Sequence, residues 1–407
     1  MIKISSINKT IYGSVDLESS KSISNRLLVI KELCKTKFEI QNLSNAKDTK
    51  ILNEILNSFE TKKEINCEDA GTALRFLVAF LATKKGNWKI SGSERMHERP
   101  IKPLIDSLVK LGANIHYLEN KGFPPIEIKS EKLTSGKLKL PGNISSQFIS
   151  ALLLIAPTIK GGLKLEITSK VLSKPYIDMT LGLMSEFGIE YRWENNLIKV
   201  KEQNYLSKNI KVENDWSAAS FWYSFLALSK NGEIQIPNLF NNSIQGDSVL
   251  SVIYSKLGIK TEFNKESIIL SRTESIAKEL ELDLSNYPDL ALPIIVTCAG
   301  LGTKAYLIGL ESLKIKESNR LECINKELSK FNINCEINSS SIKIKENQNI
   351  VQPTSIIECH NDHRIVMSIA PLCMKVDYVK FDDKEVVNKS YPKFWEDFDR
   401  VSKNMIN

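Results

Sequence analysis

The chain repeats itself. The stretch "GKLKLPGNISSQFISALLLIAPTIKGGLKLEI" (136–167) reads strand, small polar turn, apolar helix, glycine or polar turn, strand. So do "NIKVENDWSAASFWYSFLALSKNGEIQI" (209–236) and "ELDLSNYPDLALPIIVTCAGLGTKAYLI" (281–308). The turns that open the helices carry Ser145, Ser217, Asp289 and Asp362, at spacings of 72, 72 and 73 residues. Fainter copies lie at 13–40, 64–90 and 355–381, with opening turns at Ser22 and Thr72 in the first two. A second helix follows in each unit, as at 101–117, 177–193, 248–263 and 319–337, with apolar residues recurring at three and four. A period this long is not that of a short-repeat solenoid. It predicts an α/β protein of six similar units, divided three and three between two similar domains. No Pro/Gly/Ser-rich linker marks the boundary.

Composition narrows the function. At 407 residues, 42% hydrophobic and 25% charged, the chain can bury ample core. Its longest apolar run, "FISALLLIAP" (148–157), is too short to span a bilayer, and the N-terminus alternates like a strand without a signal-peptide core. The net charge of +7 is small for the length and the lysines are dispersed, which argues against nucleic acid. Seven scattered cysteines with no CxxC pair suit a reducing compartment. We therefore expect a cytoplasmic protein with no membrane and no nucleic-acid partner. Cys359, His360 and His363 in "ECHNDHR" offer metal-ligand chemistry, but no second cluster supplies a fourth ligand, so no metal is expected.

The helix-opening turns carry the chemistry. They hold Lys21, Ser22 and Arg26; Asp69, Gly71, Thr72 and Arg75; Ser145, Ser146 and Gln147; Asp215 and Ser217; Asp289; Asp362, His363 and Arg364. Ser and Asp there have an ordinary alternative, as N-caps worth about 1 kcal/mol each. Capping does not account for Lys21, Arg26 or Arg364. A cation in the first helical turn opposes the helix dipole unless an anion is bound there. Other loops add Arg99, Lys316, Arg320 and Lys389. Each alone reads as a solvated surface charge, and Glu98 and Glu317 can simply pair with a neighbouring Arg. Together they predict a site for small polyanions, phosphates or carboxylates.

The motifs "KSISNR", "DAGTALR", "ERPIKPL", "PGNISSQF", "LSKPYI", "IKESNRL", "NDHRIVM" and "NKSYPKFWEDF" match, in order, those of a known family. The chain resembles the 5-enolpyruvylshikimate-3-phosphate (EPSP) synthase family from residue 21 to 398. The resemblance implies two domains of three βαβαββ units each, the inside-out α/β barrel of enolpyruvyl transferases, closing over the active site. It places one domain at 1–12 and 214–407 and the other at 13–213. It implies transfer of the enolpyruvyl group of phosphoenolpyruvate to the 5-hydroxyl of shikimate 3-phosphate, releasing phosphate, by a monomer without cofactor.

The resemblance also assigns residues. Ser22 and Arg26 would hold the shikimate carboxylate, and Lys21 would lie between the two substrates with a catalytic part. Ser145, Ser146, Ser173 and Lys316 would take the shikimate phosphate, Tyr176 would pack on the ring, and Gln147 would touch both substrates. Arg99, Arg320, Arg364 and Lys389 would hold phosphoenolpyruvate, with Asp69 beside it and the backbone of Gly71 closing against it. Asp289 and Glu317 would divide the proton transfers, Asp289 also meeting the acceptor hydroxyls. Ser312 stands where Asn is common in the family, Asp69 where Asn is frequent, Phe76 where Pro is frequent and Asn319 where Asp is frequent. The rival UDP-N-acetylglucosamine enolpyruvyl transferases carry a reactive Cys just before the Arg-Pro pair, and "SGSERMHERP" has none. A non-catalytic anion- or RNA-binding relative would be expected to have lost Asp289, Glu317 or Lys389, and all three are present.

Overall fold

The helices that open the repeats are apolar nearly all the way round, and such a helix must be buried on every side. The computed structural model, which describes residues 1–130, 132–346 and 349–403, buries them in two sets. All of Trp216–Leu228 and His363–Ile369 is buried, as is Ala291–Leu301 apart from Leu301, and these three helices pack on one another. Gly71–Ala82 is buried except at Thr72, and Ser146–Ile155 except at Gln147. Both pack on each other and on Lys21–Leu33.

Sheets of one plan accompany each trio. Two parallel strands lie side by side, and a hairpin adds two antiparallel strands to the second. Glu64–Asn66, Gly86–Ser91, Ile126–Ser130 and Asn114–Tyr117 pair in that order, as do Thr134–Leu140, Lys160–Ile167, Leu197–Val200 and Tyr191–Glu194. The same plan returns in Thr10–Ser14, Asn231–Pro237, Ser267–Ile276 and Leu257–Phe263, and in Glu279–Asp283, Lys304–Ile308, Ser341–Ile344 and Cys335–Ile337. The first and last repeats are reduced to two-stranded sheets, Ile40–Gln41 with Ile210–Lys211 and Ile2–Ile4 with Val379–Phe381. Among the described residues, four full sheets and two reduced ones thus stand for the six units.

The chain forms two compact units, one of residues up to Ser19 together with those from Glu213 onward, the other Ser20–Val212. Each has its own apolar core. The crossings fall where two repeats exchange their first strands. Thr10–Ser14 precedes the Lys21–Leu33 helix but pairs with Asn231–Pro237, while Ile210–Lys211 precedes Trp216–Leu228 but pairs with Ile40–Gln41. The pairing of Thr10–Ser14 keeps residues to Ser19 in the first unit, so this crossing lies later than the residue-13 position expected.

Candidate active site

In the Ser20–Val212 unit, helix starts hold the cations. Ser20 caps Lys21–Leu33 by accepting from the Ile23 N–H, so Lys21 is the first helical residue. Its Nζ lies 3.0 Å from buried Asp48. Arg26, one turn on, is 2% exposed. It donates to Thr180 Oγ1 (2.7 Å), the Ser22 carbonyl (2.8 Å), the Tyr176 carbonyl (3.0 Å) and Ser150 Oγ (3.3 Å). No carboxylate pairs with it among the described residues. Burial pushes its pKa down to about 10, so it stays a cation at neutral pH. A buried guanidinium held only by neutral acceptors is a ready partner for a ligand carboxylate.

In the same unit, Gly71 makes room for two further guanidinium groups. A Cβ there would stand 2.8 Å from Arg99 Nη1 and 2.9 Å from Arg75 Nη1. Arg75 donates to the Gly71 carbonyl (2.7 Å), and Arg99 is 7% exposed. Thr72 and Gln147, the two residues that escape burial on their helices, meet through Gln147 Nε2 and Thr72 Oγ1 at 3.1 Å. Ser145 is an N-cap, accepting from the Gln147 N–H, and Ser146 begins that helix. Asp69 accepts from Ser93 Oγ. Ser173 opens Lys174–Glu186 at φ 56°, ψ 39°, a left-handed conformation that costs a non-glycine residue about 1–3 kcal/mol. Its hydroxyl caps nothing, and Tyr176 follows in the first turn.

In the other unit the acids and cations interlock. Arg320, 2% exposed, reaches Asp362 (Nε to Oδ2, 2.8 Å), Glu317 (2.7 Å) and Asp289 (3.4 Å). Burial works against its charge, but Asp362, then Glu317 and Asp289, hold its pKa above the usual arginine value. Asp289 also meets Arg364 at 3.1 Å, and Glu317 meets Lys389 at 3.5 Å. Arg364 donates a further bond to the Asp289 carbonyl (3.0 Å), which ties the starts of two inner helices together. Ser312 lies in the short 3-10 turn Glu311–Ile315, with Lys316 directly after it.

Several local roles differ from those expected. Asp289 is not an N-cap: the Ala291–Leu301 helix has Leu290 at that position, and the Asp289 carboxylate is given to arginines instead. Asp215, not Ser217, caps Trp216–Leu228. Asp362 does both jobs, accepting from the Arg364 N–H (3.0 Å) and from Arg320 and Ser318. Glu317 and Glu98 do pair with nearby Arg residues, at 2.7 and 2.6 Å. Cys359, His360 and His363 do not converge. The Cys359 thiol donates to the Asp383 carbonyl, His360 Nε2 lies 2.8 Å from Glu327, and His363 is buried beside Asp362.

The sequence reading missed Asp48 and Asp247. Asp48 has the look of an ordinary first-turn acid of Lys47–Leu56. Asp247 lies in a short 3-10 turn, 4% exposed, and accepts from Ser217 Oγ. Burial, reinforced by Asp289, pushes its pKa up to about 7.

Two α/β units built on one repeated plan, each with a trio of packed helices, have the enolpyruvyl transferase fold. The solved structures agree at the level of fold. An EPSP synthase from Acinetobacter baumannii superposes with a TM-score of 0.79, covering 98% of this chain and 97% of that one, at 20% identity. The enolpyruvyl transferase NikO from Streptomyces tendae gives 0.77 at 12% identity, covering 98% and 96%. The family model "EPSP synthase (3-phosphoshikimate 1-carboxyvinyltransferase)" matches residues 51–398. A 3-phosphoshikimate 1-carboxyvinyltransferase of Bacteroides fragilis is 40% identical over 95% of this chain and 94% of its own. One of Histophilus somni is 31% identical over 96% and 97%. The chain belongs to the EPSP synthase family.

Proposed function

We propose that this chain transfers the enolpyruvyl group of phosphoenolpyruvate to the 5-hydroxyl of shikimate 3-phosphate in the shikimate pathway. The Ser20–Val212 set (Lys21, Ser22, Arg26, Ser145, Ser146, Gln147, Ser173, Tyr176) would hold shikimate 3-phosphate, joined by Lys316 and Ser312. Arg320, Arg364 and Lys389 would hold phosphoenolpyruvate, with Arg99, Asp69 and the Gly71 backbone. In the reaction the vinyl CH2 gains a proton as the 5-hydroxyl adds to the adjacent carbon and loses its own. Phosphate then leaves, and a proton departs from the new methyl group to restore the double bond.

The observation that carries this reading is the double tenancy of Arg320. One guanidinium positions both Glu317 and Asp289, and each acid has a second cation, Lys389 or Arg364. Those three cations are among the ones assigned to phosphoenolpyruvate. A bound phosphate and carboxylate would compete for them, and a carboxylate that loses part of its cationic company takes up a proton more readily. Substrate arrival thus readies Glu317 to protonate the vinyl carbon, while Asp289 accepts from the hydroxyl. The cations that remain stabilise the charge that develops.

The protein is expected to act in the cytoplasm as a monomer. Among the described residues no helix is long and apolar enough to cross a membrane. The deciding assay is phosphate release from phosphoenolpyruvate with shikimate 3-phosphate, beside the same assay with UDP-N-acetylglucosamine. Release with the sugar nucleotide alone would refute the reading.

A further inference from the structure

One rung of the Thr134–Leu140, Lys160–Ile167, Leu197–Val200, Tyr191–Glu194 sheet is entirely cationic. Lys137 stands opposite Lys164, Lys164 opposite Lys199, and Lys199 opposite Arg192. Residues directly paired across strands share a face, and here it is the outer one. Leu138, Leu165, Ile198 and Val200 are buried on the other. Like charges directly opposite destabilise a sheet, and this rung places three such pairs in a row, across roughly 14 Å at normal strand spacing.

Some of the charge is answered locally. Lys137 pairs with Glu166 (2.7 Å) and Lys199 with Glu194 (3.1 Å). Lys164 and Arg192, and Lys201 one step along, have no carboxylate partner among the described residues. The rung also lines a groove of about 560 Å³ whose charged walls are Lys137, Lys164, Arg192, Lys199 and Lys201 against Glu190, with the Glu202 carboxylate bonded to the lining Gly161. Gly161 and Gly162, at φ 80° and 75°, open its lower end, and a Cβ on Gly162 would strike the Val200 carbonyl at 2.3 Å. The Gly161 N–H there donates to Glu202 Oε2 (2.8 Å) and the Gly162 N–H to the Ile159 carbonyl (2.8 Å), so the basic side chains of the rung carry the attraction for an anion.

We propose that this groove binds a linear oligophosphate, laid across the strands along the Lys137–Lys164–Lys199–Arg192 rung. A chain of phosphates presents negative charge at short, regular intervals, which matches a row of cations better than a single phosphate or a carboxylate does. The charge could come from an inorganic polyphosphate or from a nucleoside triphosphate. None of these residues has a part in the enolpyruvyl reaction.

The test is calorimetric titration of the full chain with inorganic tripolyphosphate at low salt, with shikimate 3-phosphate and phosphoenolpyruvate saturating in a parallel run. One tripolyphosphate per chain is expected, undisturbed by the substrates, and much tighter than orthophosphate. Lys164→Gln and Arg192→Gln should each weaken it ~10-fold, the loss of one charge-assisted contact, and leave turnover unchanged. Added salt should weaken it steeply. Adenosine triphosphate without metal distinguishes the sources. Tighter binding than tripolyphosphate assigns a nucleotide, and equal binding assigns the phosphate chain alone. Absence of binding, binding indifferent to both substitutions, or displacement by the substrates would each overturn the proposal.

Discussion

Arg99 Nη1 lies 2.8 Å from where a Cβ on Gly71 would stand. Both atoms that such a methyl group would meet first, Arg99 Nη1 and Arg75 Nη1, are tips of flexible side chains. Gly71→Ala should therefore move guanidinium groups and leave the fold intact. The expected result is a rise of about 10-fold or more in the KM for phosphoenolpyruvate, the scale of one misplaced charge-assisted bond. The KM for shikimate 3-phosphate and the melting temperature should change little. A variant that melts much earlier, with both KM values unchanged, would show that the glycine serves packing alone.

Asp289→Asn and Glu317→Gln keep shape and most hydrogen bonding but cannot exchange a proton as a carboxylate does. Each should bind shikimate 3-phosphate normally and lose ~100-fold or more in turnover. In heavy water the parent enzyme should wash deuterium into the vinyl group, and Glu317→Gln should suppress that exchange. If Glu317→Gln exchanges and turns over like the parent, the proton donor lies elsewhere, with Lys21 and Lys389 the remaining groups to test.

Arg26 is fixed by acceptors from three helices, which a lysine cannot imitate, since its ammonium lacks the planar fork. Arg26→Lys should raise the KM for shikimate 3-phosphate by about 10-fold or more while sparing that for phosphoenolpyruvate. Steady-state kinetics with each substrate varied in turn measures the difference, and equal effects on both would dissociate Arg26 from the acceptor.

Asp247 makes a prediction about pH. Its pKa rises from 3.8 in the unfolded chain to about 7 in the folded one. The folded state thus holds a proton that the unfolded state releases, and folding loses stability as pH climbs from about 4 to about 7. Above that range the whole cost persists, on the order of 1–4 kcal/mol. Asp247→Asn, which can still accept from Ser217, removes the cost. Its melting temperature should exceed the parent's at pH 8 and converge on it near pH 4. A constant offset across that range would mean that the carboxyl does not titrate there.

Much of this was legible in the sequence. The spacing of Ser145, Ser217, Asp289 and Asp362 marks the inner helices because each begins at the same place in a repeating unit, and their unbroken apolar runs foretell burial on all sides. The exchange of Thr10–Ser14 and Ile210–Lys211 was not legible. Strand partners roughly two hundred residues apart leave no local pattern, and two of those strands are only two residues long. Side-chain destinations were hidden for a similar reason. A Ser or Asp before a helix looks like a cap whether it caps, as Asp215 does, or reaches an arginine from another helix, as Asp289 does. Asp48 and Asp247 carried no mark at all, since their importance lies in what stands beside them.

The strand exchange also sets a timetable for synthesis. Thr10–Ser14 leaves the ribosome before the Ser20–Val212 unit, yet its neighbour in the sheet, Asn231–Pro237, emerges after that entire unit. That unit has every one of its strands once Ile210–Lys211 is out, and it can fold while the remainder is still being translated. The leading strand meanwhile waits as an open edge, of the kind that invites wrong pairing. The nascent chain thus completes the Ser20–Val212 unit first and closes the sheet of Thr10–Ser14 only afterwards.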